Sequence, residues 1–140
     1  NEIPFIFTTS GPYGNKNRID IYTSDSWNTK YEHVDSVFLD NNSARSAGYL
    51  FKLGDKIIRP AQDCNSIYGG GLIFQEVKYE KGHFSFKEIK KTYPNNKRYI
   101  GMHTFNKYND NVVLDFKRYK YPILLGLTNG LKKSIKKVII

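Results

Sequence analysis

Cysteine is almost absent from this chain, with Cys64 the single example. An internal disulfide is therefore impossible, and a cysteine-based structural zinc site is not expected. A lone thiol suits a reducing compartment, which favours the cytoplasm. No apolar run approaches the roughly 20 residues that span a membrane as a helix. The opening NEIPFIF has neither a basic n-region nor a small-residue cleavage site, so it does not read as a signal peptide. Acidic residues are also scarce, 13 against 22 Lys and Arg, for a formal charge of +9. Part of that excess sits at Lys132, Lys133, Lys136 and Lys137. It suits a solvated basic surface better than a dedicated polyanion site. HExxH, GxSxG and P-loop patterns are missing. The run Gly69-Gly70-Gly71 opens a strand rather than a helix, so it makes a poor phosphate cradle. No cofactor and no metal are expected.

What is abundant is aromatic and β-branched residues in short runs, which points to strands and a packed core. Pro4–Ser10 and Arg18–Ser24 read as strands, followed by a less regular connection to Asn42. Three hairpins follow. Ala47–Leu53 and Lys56–Pro60 flank Gly54-Asp55, Gly70–Tyr79 and His83–Lys90 flank Glu80-Lys81-Gly82, and Tyr99–Asn106 and Asn111–Tyr119 flank Asn109-Asp110. Gly48 and Gly101 each precede an aromatic strand and an Asp-containing turn, a weak internal echo some 50 residues apart. Such a period with about four strands per unit marks propeller blades. The expected fold is all-β: antiparallel blades of about half a propeller over residues 1–122. A basic tail over 123–140 carries a possible short helix, with Leu131, Ile135 and Val138 on one stripe. A small self-contained sandwich is the competing fold.

Polar residues gather at Arg59, Gln62, Asp63 and Asn65, just after an apolar strand and before Tyr68. Amides, carboxylates and guanidinium groups make directional bonds to hydroxyls, and aromatic faces stack on sugar rings. An Asx turn capped by Asp63 or Asn65 accounts for the same pattern. Arg45 stands among small residues before a strand, suited to a carboxylate or to an ion pair between blades. His103, in mid-strand, suits proton transfer or a core hydrogen bond. Asp63, Glu76, Glu80 and Asp115 are the carboxylates from which a glycosidase pair could be drawn.

The stretches Ser43-Ala44-Arg45-Ser46-Ala47-Gly48, Arg59-Pro60-Ala61-Gln62-Asp63-Cys64 with Tyr68-Gly69, and His103-Thr104-Phe105-Asn106 with Asp115 carry a resemblance. Over residues 35–119 the chain resembles the C-terminal part of a five-bladed propeller related to arabinanase-type and xylosidase-type glycoside hydrolases. Such domains occur in plant glucosamine inositolphosphorylceramide transferases and in bacterial formyltransferase-linked polysaccharide proteins. The resemblance implies an axial sugar pocket, with Asp63 and His103 as catalytic candidates and Arg45, Arg59, Gln62 and Tyr68 as sugar-binding ones. Gly70 and Gly71 depart from the family's bulkier strand start, and the hydrolases' essential carboxylates lie mainly in earlier blades.

Three functions compete. The first is a piece of a carbohydrate-processing enzyme, inactive by itself. The second is a non-catalytic glycan-binding or scaffold module. The third, a basic nucleic-acid binder, has no recognisable motif behind it. Carbohydrate is the expected partner, and open blade edges invite self-association or pairing with a missing half of the ring. Asp63 and His103 are expected to meet in one cleft.

Overall fold

The computed structural model describes residues 3–9 and 16–120. The expected tail helix lies outside them. The described chain is all-β, with antiparallel sheets and no closed barrel. Strands β1 (Phe5–Thr8), β2 (Arg18–Thr23) and β3 (Glu32–Phe38) form the first sheet in that order. Strands β4 (Phe51–Leu53), β5 (Lys56–Asp63), β6 (Gly71–Glu80) and β7 (His83–Thr92) form a four-stranded meander. Strands β8 (Tyr99–Gly101) and β9 (Phe105–Tyr108) then pair with β11 (Lys117–Arg118) and β10 (Asn111–Leu114), respectively.

The three expected hairpin turns all form. At Lys81-Gly82 both residues have positive φ, 53° and 85°. Such turns match the right-handed twist of the strands they join. Strand β3 was not expected. The sequence there reads as an irregular connection because β3 is an outer strand, largely exposed on both faces. An outer strand has little burial to impose a hydrophobic alternation.

The sheets stack face to face, as blades do. Between the first and second lie Ile19, Ile21, Leu39, Ala44 and Phe84, with Phe5, Phe7, Val77 and Phe86 around them. Phe84 meets Phe5 and Phe7 edge-on at 5.1 and 5.2 Å, the geometry that ring quadrupoles favour. Between the second sheet and the two short pairs β8–β11 and β9–β10 lie Ala47, Leu72 and Met102, flanked by Phe74 and Phe105. Each fully buried isoleucine contributes roughly 2 kcal/mol through lost water contact. Strand β5 is covered on both sides from Ile58 to Asp63, so its alternate residues belong to different interfaces.

Two irregularities shape the end of this stack. Phe51 pairs with Ile58 and Ser46 with Ala61, so residues 47–50 lie opposite only 59–60. Pro60 has no N–H to offer the ladder there, while its carbonyl accepts the Ala47 N–H at 2.9 Å. Between the two short pairs β8–β11 and β9–β10, Gly101 pairs with Lys117 and Phe105 with Leu114, so residues 102–104 lie opposite 115–116. Asp115 fills this gap: its Oδ1 accepts the N–H groups of His103 and Thr104 at 2.8 and 2.7 Å. Both interruptions are bulges, which turn side chains out of the regular pleat.

Candidate functional site

The two bulges lie against each other. The Phe105 N–H donates to the Ala47 carbonyl at 2.7 Å, and the Tyr49 N–H donates to Asn106 Oδ1 at 3.2 Å. Only glycine permits this approach, because a Cβ on Gly48 would stand 1.9 Å from the Phe105 carbonyl oxygen. Between the bulges opens a depression of about 370 Å³, lined chiefly by Ser46, Tyr49, Gln62, His103, Thr104 and Asn106. None of its lining residues is a carboxylate.

Its polar groups have defined directions. The Gln62 amide nitrogen donates to the His103 carbonyl at 3.2 Å. A carbonyl accepts only a donor, so the orientation of this amide is settled and Oε1 faces the other way. Gln62 is 6% exposed, and its Oε1 has no partner. The His103 Nε2 is likewise buried without a partner. Unpaired buried polar atoms cost about 1–3 kcal/mol each; Gln62 belongs to the lining of the depression, whereas His103 Nε2 packs against Gly69. Asn106 uses Oδ1 on Tyr49, which turns its NH₂ outward. Ser46 Oγ accepts from Arg59 at 3.2 Å, which leaves its own hydroxyl proton to donate.

Tyr49 stands at the mouth, 83% exposed. No sequence pattern singles it out, since it falls where a regular strand was expected. The bulge beside Pro60 is what releases it. Tyr68 does not line the depression and is 41% exposed; the His103 ring lies 5.2 Å away, and Arg45 and Lys117 stand over the Tyr68 ring at 5.3 and 5.6 Å. The exposed ring of the depression is thus Tyr49, with Tyr68 beyond His103.

Arg59 does not line the depression. It is 1% exposed and sits between the first two sheets. Its Nη1 donates to the Ser43 carbonyl at 3.1 Å and Gln75 Oε1 at 2.6 Å, and its Nη2 donates to the Ala44 carbonyl and Ser46 Oγ. Phe86 lies beneath it at 5.5 Å. Burial pulls its pKa from 12.5 down to about 10. Arg59 therefore reaches the depression only through Ser46.

Asp63 and His103 do not share a cleft. Gln62 pairs with Leu72 and faces His103, whereas Asp63 pairs with Gly71 and faces the opposite way, alongside Arg59 and Ala61. Successive residues of a strand point to opposite faces, so the expected meeting fails by one residue. The Asp63 carboxylate accepts the Asn65 N–H at 3.0 Å, the Asn65 amide at 2.7 Å and the Tyr93 hydroxyl at 2.6 Å. Its burial raises the pKa. The Tyr93 hydroxyl, both Asn65 donors and the Lys91 charge outweigh this, and the net shift is downward. The hydrogen bond to Asp63, then burial and the charges of Asp63 and Glu88, push Tyr93 up to about 12. Asp63 thus caps an Asx turn, the structural alternative weighed for it. Glu76 pairs with Lys56 at 3.1 Å; it lies opposite Ile58, next to the first bulge, but does not line the depression. His103 Nδ1 lies 3.6 Å from Asp115. The chain matches no family model, no curated protein and no solved structure, so its site is read from its own residues.

Proposed function

We propose that this chain is a carbohydrate-binding portion of a β-propeller, taking a sugar in the depression between its two bulges. The observation that supports this most is Gln62 Oε1, an acceptor buried without a partner beside an exposed tyrosine ring. A sugar offers what that pair lacks: a hydroxyl donor on one side and a face of CH groups on the other. Ser46, Thr104 and Asn106 add donors. The resemblance to arabinanase-type and xylosidase-type propellers supports the same reading. Hydrolysis is not part of it, because no carboxylate lines the depression and two are needed.

The test is calorimetric titration of the chain with a panel of oligosaccharides, alongside Tyr49→Ala, Gln62→Leu and Tyr108→Ala. Tyr108 is also well exposed, but at the tip of the β9–β10 hairpin. Loss of about tenfold in affinity in the first two variants, with Tyr108→Ala unchanged, is the expected result. Equal binding by all three variants would place the sugar elsewhere.

A further inference from the structure

Asp63 and the Gly70-Gly71 run have no part in the depression between the bulges. They meet instead at a second hollow, of about 300 Å³, on the opposite face of β5 from Gln62. Its polar lining is Asn41, Asp63, Asn65, Ser66, Lys91 and Tyr93. The β5–β6 loop stands between the two openings. Ser66 and Gly70 line this hollow, while Gly69 backs onto the His103 ring.

Tyr93 is held in place here. Its hydroxyl donates to the Asp63 carboxylate at 2.6 Å. Asp63 is 6% exposed and is itself fixed by two donors of Asn65. The ring lies so close to the strand start that a Cβ on Gly71 would stand 2.5 Å from Tyr93 Cδ1. A bulkier residue there would push the ring away. Tyr93 is still 53% exposed. A ring held at both its hydroxyl and its edge offers apolar surface at little ordering cost.

The charges around the hollow are matched. Lys91 pairs with Glu88 at 3.2 Å, and Asp63 has its three donors. A neutral ligand therefore suits it better than an ion. The polar groups offer both senses of hydrogen bond. The amide nitrogens of Asn41 and Asn65 each give one hydrogen to a carboxylate, of Glu88 and Asp63 respectively, and each carries a second. Tyr93 donates its proton to Asp63, which leaves its oxygen as an acceptor. Sugar hydroxyls both donate and accept, beside faces of CH groups.

We propose that this hollow is a second sugar-binding site, taking a neutral hydroxylated ring against Tyr93, with Asp63 positioning that tyrosine. The ligand class rests on the carbohydrate reading above, but the two sites share no lining residue.

The experiment follows backbone amide signals by NMR as the chain is titrated with galactotriose and, separately, with xylotriose. Two groups of signals should move independently: Asn65, Ser66 and Gly70 for this hollow, and Gln62, Thr104 and Asn106 for the depression. Tyr93→Ala should weaken the response of the first group about tenfold and spare the second, and Tyr49→Ala should do the reverse. Tyr93→Phe keeps the ring but frees it from Asp63, and should weaken the first group about threefold. Circular dichroism checks that each variant folds, and Tyr93→Phe carries the test if Tyr93→Ala does not. Movement of the depression's signals alone overturns the second site and leaves the carbohydrate reading standing. Movement of the first group alone supports the second site and overturns the depression. No movement in either group overturns both. A first group that responds equally in the native chain and in Tyr93→Phe overturns the positioning role of Asp63, and an equal response in Tyr93→Ala overturns the site.

Discussion

Removing the Arg59 side chain should destabilise the fold by a few kcal/mol, even though a buried cation is costly. Its pKa falls from 12.5 to about 10, so keeping the charge inside costs roughly 3 kcal/mol at neutral pH. Arg59→Met fills similar space and removes that cost. It also strips the donors from the Ser43 and Ala44 carbonyls and from Gln75 Oε1. Gln75 is 2% exposed, so water cannot replace the guanidinium there. Each abandoned acceptor costs about 1–3 kcal/mol, roughly 6 for the three, and the net loss is about 3 kcal/mol. Urea unfolding followed by circular dichroism should show the midpoint fall with the slope unchanged. An Arg59→Met protein as stable as the native one would refute this account. It would mean that the guanidinium's hydrogen bonds do not exceed its desolvation, as happens for some buried ion pairs.

Gly69 has φ +61°, and a Cβ there would stand 2.2 Å from the His103 ring. Gly69→Ala should cost about 2 kcal/mol and weaken sugar binding by displacing His103, read by thermal melting and titration. The Asp63–Tyr93 pair adds stability over a defined pH window. Asp63 is lowered, so its contribution is present above the unfolded carboxylate range and is lost as pH falls through the folded value. Tyr93 is raised from 10.0 to about 12, so its contribution is present below pH 10 and is lost as pH rises through 12. Tyr93→Phe should flatten both limbs of a pH–stability profile, and an unchanged profile would count against the pairing. Val112, Val113 and Leu114 of β10 are exposed, and among the described residues β10 pairs on one edge only. Sedimentation should therefore show concentration-dependent association, and a clean monomer at high concentration would rule it out.

The hairpins were legible because their signals are local. Gly54-Asp55, Lys81-Gly82 and Asn109-Asp110 each sit between apolar runs, and positive φ is needed at Gly54, at both Lys81 and Gly82, and at Asn109. The residues of the depression were legible in kind but not in arrangement. Gln62 and His103 were singled out and do meet, through an amide-to-carbonyl bond. Asp63 was singled out with them and faces away. The difference is one position along β5, and a strand buried on both faces gives no alternation from which to read its facing. Tyr49 was hidden for a related reason. A run such as Gly48-Tyr49-Leu50-Phe51 looks like continuous strand, and only Pro60, on the strand opposite, breaks its ladder. A proline in a covered central strand is itself a warning that its neighbour bulges. Carried over to the β8–β11 strands, the same logic assigns Asp115 its part. It stands opposite a bulge as Pro60 does, but it holds that bulge closed by accepting two N–H groups where Pro60 offers none. The depression exists because two adjacent sheets interrupt their inner ladders at the same level by different chemistry. Asp115→Ala should accordingly loosen His103 and Thr104 together and weaken sugar binding without removing any atom from the lining. Hydrogen exchange at those two amides would show the loosening, and unchanged protection there would overturn the role given to Asp115.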